Sequence, residues 1–193
     1  VQVAAINTLG VLYVVETGDT IHSVADLKGK TIYSTGKNNT PEYTLNYILS
    51  QNGIDPATDV TIEYKGEATE VTAMLAEAGE GAVAVLPQPY VTIASTQNEN
   101  LRVALDLTEE WDKVNAESTL VTGVLVVNSD FAKENEAAFA EFLEDYAASI
   151  EYVNANVAEP AELVANYGIV PKAPVAEKAL PACNIVYIAG EEM

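Results

Sequence analysis

Lys30-Thr-Ile-Tyr-Ser-Thr-Gly-Lys-Asn-Asn-Thr-Pro-Glu-Tyr43 reads as a strand that runs through a glycine loop straight into a helix. Thr31 to Ser34 supplies the strand. Thr40 suits the cap, Pro41 fits the first helical position where its missing N–H costs nothing, and Glu42 suits the positive end of the macrodipole. Such a junction aims unpaired backbone N–H groups at whatever sits above the strand, a natural place to hold a small polar or anionic group. Gly36-Lys37-Asn38-Asn39 has neither the Walker nor the dinucleotide glycine spacing. The stretch therefore points to binding and names no reaction.

Outward from this junction, strand signals alternate with helix signals, which predicts an α/β fold with a largely parallel sheet. Val3 to Ile6 and Gly10 to Val15 are strand-like, and Ser23 opens a short helix that Gly29 stops. From Pro41 to Asn52, Leu45, Ile48 and Leu49 repeat at helical spacing. Asp59 to Tyr64 alternates as a strand, and Val71, Met74, Leu75 and Ala78 make a helical stripe. Ala82 to Leu86 is a short all-apolar strand, expected where both sheet faces are covered. Two βαβ units follow. Tyr90 to Ser95 reads as a helix, Leu101 to Leu107 as a strand, and Thr108 as the cap of a short helix. Val121 to Val127 reads as the last strong strand. Beyond Asn128 the tail reads as helical, with Phe139, Phe142, Leu143, Tyr146, Ile150 and Val153 on one stripe, followed by Pro160 to Tyr167 and Val175 to Leu180.

Composition narrows the classes. With 193 residues and 49% hydrophobic content, the chain can bury a real core as one domain or two small ones. Nine basic against 29 acidic residues give a net charge of −20, which repels phosphate backbones and argues against a nucleic-acid partner. The longest apolar runs fall short of the roughly 20 residues that span a bilayer. A single cysteine, Cys183, excludes an internal disulfide and a multi-cysteine zinc site. Polar stretches at Gly18 to Ser23 and Asn115 to Thr119 bracket a compact α/β block, and the segments outside it belong together.

Asn7-Thr-Leu-Gly-Val-Leu-Tyr13, Asp26-Leu-Lys-Gly-Lys-Thr-Ile32, Gly36 to Pro41 and Val85-Leu-Pro-Gln-Pro-Tyr90, in that order, resemble the substrate-binding proteins of ABC importers. The branch is the one that includes taurine, alkanesulfonate, nitrate and thiamine-precursor binders. The similarity extends over nearly the whole chain, although the opening βαβ units of lobe one, the export signal and the final helix of that family have no counterpart here. The resemblance implies a periplasmic-binding-protein-like fold of type II, with two crossovers. Residues 24–118 would form lobe two. Residues 1–23 and 119–193 would form part of lobe one, with the hinge strands and C-terminal helices. It further implies that the ligand sits in the cleft between lobes and that hinge closure presents a surface to the ABC permease. Asn7, Thr8 and Leu9 would face the cleft from the lobe-one crossover. Thr35, Gly36, Lys37, Asn38, Asn39 and Thr40 would supply the lobe-two helix N-terminus. Pro87, Gln88 and Tyr90 would line the opposite wall, and Thr122 and Gly123 would sit at the returning hinge. The implied location is extracytoplasmic, with membrane contact only through an upstream lipid anchor where one is present. The expected partner is a small-molecule ligand, with no cofactor, metal or catalytic residue.

Each candidate also has a plainer role. Lys37 either pairs with a ligand anion or is a solvated loop lysine. Thr35, Gly36, Asn39 and Thr40 lie where open α/β sheets bind ligands, or merely cap a helix. Tyr90 stacks on a ligand or walls the core. Trp111 is expected to cover an apolar edge, His22 to be exposed, Cys183 to be a buried inert thiol, and Glu144 and Asp145 to be solvated. Three functions compete. The leading one is a solute-binding protein. An enzyme on the same fold, of the thiamine-pyrimidine or menaquinone type, is the alternative, but one histidine and one cysteine cannot build the former's site. The effector-sensing domain of a regulator would need a helix-turn-helix segment that this sequence does not contain.

Overall fold

The all-apolar run Val83 to Leu86 sits at the centre of a five-stranded sheet, buried on both faces in the computed structural model, which describes residues 1–193. Contacts divide the chain into two compact units, Val1–Gly10 with Val121–Met193, and Val11–Leu120. The second unit contains β2 (Leu12–Thr17), β3 (Thr31–Ser34), α1 (Thr40–Gln51), β4 (Thr61–Tyr64), α2 (Ala68–Glu77), β5 (Val83–Pro87), α3 (Tyr90–Gln97), β6 (Leu101–Asp106) and α4 (Leu107–Val114). Its strand order is β4-β3-β5-β2-β6. β3 pairs parallel to β4 and β5, so β3-α1-β4 and β4-α2-β5 are the two expected crossover units.

The sheet is largely parallel, as expected, with β4, β3, β5 and β6 running one way and β2 alone the other. β2 runs antiparallel to both β5 and β6, because a chain that enters from outside the unit can lie beside β5 in either direction. The same pairing moves the boundary drawn at residue 23. Leu12–Thr17 is hydrogen-bonded into this sheet, and the polar turn after it is tied back to the unit by Glu16. The polar stretch is a turn within the unit, so the division falls at Gly10/Val11.

Alternation sorts the core into two layers. Val83 and Val85 of β5 and Leu12 and Val14 of β2 join Leu45, Ile48 and Leu49 of α1 and Leu107 of α4 in one cluster. Ala84 and Leu86, with Val15, meet Val71 and Leu75 of α2 and Val91 and Ala94 of α3 in the other. Full burial of a Leu or Ile side chain contributes roughly 1.5–3 kcal/mol. Helices therefore cover both faces of this sheet. Asp106, whose carboxylate accepts the Thr108 N–H at 2.8 Å, caps α4 in place of Thr108.

The other unit is a three-stranded antiparallel sheet, in the order β7-β1-β8, of β1 (Gln2–Thr8), β7 (Gly123–Val127) and β8 (Ile185–Ile188). Around it stand α5 (Ser129–Glu134), α6 (Glu136–Ala155), α7 (Ala158–Asn166) and α8 (Ala173–Ala179). β8 contradicts the expectation of a purely helical tail, because Ile185-Val-Tyr-Ile188 completes the sheet beside β1. Asn154 fixes α6 to β8 by donating to the Ile185 carbonyl at 2.9 Å. No helix is long and apolar enough to cross a membrane.

Candidate functional site

In the unit Val11–Leu120, β3 leads into α1 on one face of the sheet, whereas its parallel neighbour β5 leads into α3 on the other. Helices diverging from adjacent parallel strands leave a crevice at their carboxyl ends, the position where open α/β sheets bind ligands. Thr35 to Thr40 follow β3, and Pro87, Gln88 and Tyr90 end β5 and open α3. Both groups predicted for this part of the chain therefore stand at the same end of neighbouring strands.

The loop after β3 turns on Gly36, whose φ is +70° and whose carbonyl accepts the Asn39 N–H at 3.0 Å. That turn sets the cap one residue earlier than expected. Asn39 is the N-cap, its Oδ1 accepting the Thr40 N–H at 2.8 Å, so Thr40 is the first helical residue and Pro41 the second. Asn38 takes a left-handed conformation and donates its N–H to the Glu42 carboxylate. The N–H groups of Gly36, Lys37 and Glu42 have no acceptor within the chain. Three donors at the positive end of a 12-residue helix remain for an outside group.

Gln88 is held from both sides while keeping a donor free. Its N–H donates to the Val11 carbonyl at 3.0 Å, and its Oε1 accepts from the Thr92 N–H and hydroxyl at 3.3 and 2.9 Å. The Nε2 donors have no acceptor in the chain. Tyr90 is half-buried against the α2–α3 cluster, consistent with a wall. Lys37 is placed elsewhere. Its Nζ lies 5.9 Å from the centre of the Tyr64 ring, beside Glu42 and Asn46 in an open cavity of about 480 Å³ along β4. β4 and β5 flank β3 on opposite sides, so the lysine turns away from Gln88. Burial pushes the Tyr64 hydroxyl up to about 12, with help from the Glu42 charge and its hydrogen bond to Glu42.

Asn7, Thr8, Leu9, Thr122 and Gly123 form a second group, on the unit of β1 and β7. Thr8 and Gly123 are register partners, and Thr122 donates its N–H to the Thr8 carbonyl at 3.1 Å and its hydroxyl to the Leu9 carbonyl. The Thr8 hydroxyl donates to Asn7 Oδ1 at 3.2 Å, and Asn7 Nδ2 donates to the Tyr146 hydroxyl at 2.9 Å. Asn184 completes the group, accepting the Leu9 N–H at 3.1 Å and donating Nδ2 to the Gly10 carbonyl at 3.1 Å. Sequence reasoning missed Tyr146 and Asn184. Tyr146 lies on the apolar stripe of α6, and nothing local marks a hydroxyl whose partner is 139 residues away.

No group of three or more His, Cys, Asp or Glu side chains could hold a metal ion. His22 is exposed, 3.7 Å from Asp19. Trp111 packs on the α1–α4 cluster and on Tyr47, with ring centres 4.7 Å apart, as expected of an edge cover. Cys183 is half-buried rather than fully buried, and burial raises its thiol pKa. Neither Cys183 nor His22 stands among the candidate residues.

A family model described as NMT1/THI5 like matches residues 1–160. Similar solved structures include an ABC transporter from Parabacteroides distasonis, 24% identical over 99% of this chain and 62% of that one, with a TM-score of 0.77. The periplasmic aliphatic sulphonate binding protein SsuA of Escherichia coli is 20% identical over 95% of this chain and 60% of that one, with a TM-score of 0.72. The alkanesulfonate-binding protein SsuA of Xanthomonas axonopodis pv. citri, bound to MOPS, is 16% identical over 95% and 61%, with a TM-score of 0.67. These likenesses show the periplasmic-binding-protein-like fold. The chain spans about three fifths of the length of these structures. No curated protein matches it.

Proposed function

Because the chain belongs to the NMT1/THI5-like family, we propose that it is the ligand-binding component of an ABC importer, carrying a small organic solute outside the cytoplasm to the permease. The observation that carries this reading is the crevice between β3 and β5, where the Gly36, Lys37 and Glu42 N–H groups and the Gln88 Nε2 remain without acceptors. Unpaired donors fixed by a helix start and a capped turn favour an acceptor-rich ligand over a cation. A sulfonate or carboxylate meets that need, and two proteins of the same fold are named for binding sulfonates. Asn7, Thr8, Leu9, Thr122 and Gly123 are the candidate ligand contacts of the other unit in this proposal.

The chemistry of the candidate residues favours binding over catalysis. They supply amides, hydroxyls and aromatic surface, with no nucleophile held by a base. Calorimetry against sulfonates, carboxylates, pyrimidines and aromatic acids, combined with small-angle scattering and mass analysis of the recovered ligand, tests the proposal. Saturable heat, compaction on binding and an unchanged ligand are expected. Silence across the panel, or a chemically altered ligand, would overturn it.

A further inference from the structure

Glu42 and Asn46 are four residues apart on α1 and so share a face of the helix. Ile62 and Tyr64 alternate onto one face of β4, the edge strand of the five-stranded sheet. Together with Lys37 and the turn that holds Pro56 and Val60, they wall the cavity of about 480 Å³, a size within the roughly 300–1,000 Å³ of small-molecule sites. No residue of β5 or α3 lines it, which separates it from Gln88. Its polar groups are incompletely matched. Lys37 enters none of the chain's ion pairs, although acidic residues outnumber basic ones 29 to nine, and its ammonium lies over the Tyr64 ring. The Glu42 carboxylate is fixed by the Asn38 N–H and the Tyr64 hydroxyl, and a carboxylate has room for about four donors. Asn46 Oδ1 is shielded from solvent with no donor in the chain, whereas buried oxygens are nearly always partnered. Its amide turns on a broad torsion, so Oδ1 can swing toward a donor in the cavity. Pro56, Val60 and Ile62 add apolar wall.

We propose that this cavity is a second binding site, which takes a free α-amino acid with an apolar side chain as its zwitterion. The ammonium donates to the Glu42 carboxylate and Asn46 Oδ1, the carboxylate pairs with Lys37 Nζ, and the side chain lies against Pro56, Val60 and Ile62. Opposite charges on one wall select this class. A simple anion satisfies Lys37 but meets Glu42, and a simple cation satisfies Glu42 but meets Lys37. A zwitterion has no net charge, so the −20 of the chain does not repel it. Glu42 is already held in place, which lowers the ordering cost of binding. The inference is independent of which solute fills the β3–β5 crevice.

Amide NMR of the protein titrated with L-leucine tests it. The Asn46 side-chain amide and the Ile62 and Tyr64 backbone amides should shift saturably at millimolar leucine, while the Gln88 side-chain amide stays unmoved. Isocaproate, which lacks the ammonium, leucinamide, which lacks the carboxylate, and glycine, which lacks the apolar side chain, should each bind about tenfold more weakly or worse. Lys37→Met, at an exposed position, should weaken leucine by a similar factor and leave leucinamide binding unchanged, a pattern that loss of fold would not give. Absence of a saturable shift at Asn46, or equal binding of leucine and isocaproate, would overturn the proposal. So would leucine shifts confined to Gly36 and Gln88, which would assign leucine to the crevice and leave the importer reading standing.

Discussion

Gly36 and Pro41 stand so close that a Cβ on the glycine would lie 2.8 Å from both Cδ and Cγ of the proline ring. The ring cannot swing aside as a long side chain would. With φ at +70°, Gly36→Ala places an L side chain in the left-handed region at a cost of about 1–2 kcal/mol, with the contact adding to it. Urea unfolding should show that loss, and ligand affinity should fall by more than the fold does, because the same turn aims the Gly36 and Lys37 N–H groups. An unchanged affinity would separate the loop from the site.

Gly123 carries the equivalent constraint on the other unit. An added Cβ would meet Asn7 Oδ1 at 2.6 Å and Thr8 Oγ1 at 2.8 Å, so Gly123→Ala should destabilise by about 1–3 kcal/mol through overpacking. Tyr146→Phe removes the acceptor of Asn7 Nδ2 without changing shape, and about 1 kcal/mol should be lost. Denaturation midpoints of both variants check these values.

Glu16 makes acid sensitivity specific. Its burial works to raise the pKa, but the Ile21 and Thr20 N–H groups, the Thr20 hydroxyl and Arg102 outweigh it, leaving the carboxyl below its ordinary value of 4.5. A lowered folded pKa contributes stability above pH 4.5 and loses it as pH falls through the folded value. Glu16→Gln should cost about 1–3 kcal/mol at pH 7. The gap between variant and parent should narrow below pH 4.5 when urea midpoints are compared from pH 7 to 3.

Tyr64 reports on the start of α1. Its hydroxyl should ionise at about 12 rather than 10.0, read from phenolate absorbance. A raised folded pKa stabilises below pH 10 and is lost as pH climbs toward 12. Glu42→Gln removes the negative charge beside it, so the titration should move back toward 10; no movement would show that burial alone sets it.

The junction from Thr31 to Glu42 was legible because each local signal agreed. Strand Thr31–Ser34, helix α1 and the apolar β5 lie where periodicity and caps put them. Asn39 and Thr40 are both good caps, and only the Gly36 turn decides between them. The direction of β2 was not legible. An apolar run such as Leu12 to Val15 does not state whether β5 will lie parallel or antiparallel to it, since that depends on how the chain enters the sheet. Ile185-Val-Tyr-Ile188 escaped notice because four residues after a run of helices carry little periodicity, and their pairing partner β1 is at the far end of the chain. Lys37 was legible as a loop cation, but its choice of the Tyr64 face rests on a strand that follows it by more than twenty residues. Residues placed by backbone geometry were thus readable, and those placed by distant side chains were not.

The most direct measurement of the central claim is amide NMR of the protein titrated with the solute that calorimetry identifies. The account predicts that the Gly36, Lys37 and Glu42 N–H resonances and the Gln88 side-chain amide shift most within the Val11–Leu120 unit, downfield as they gain an acceptor. Saturating ligand that leaves these four unmoved while shifting residues elsewhere in that unit would contradict it.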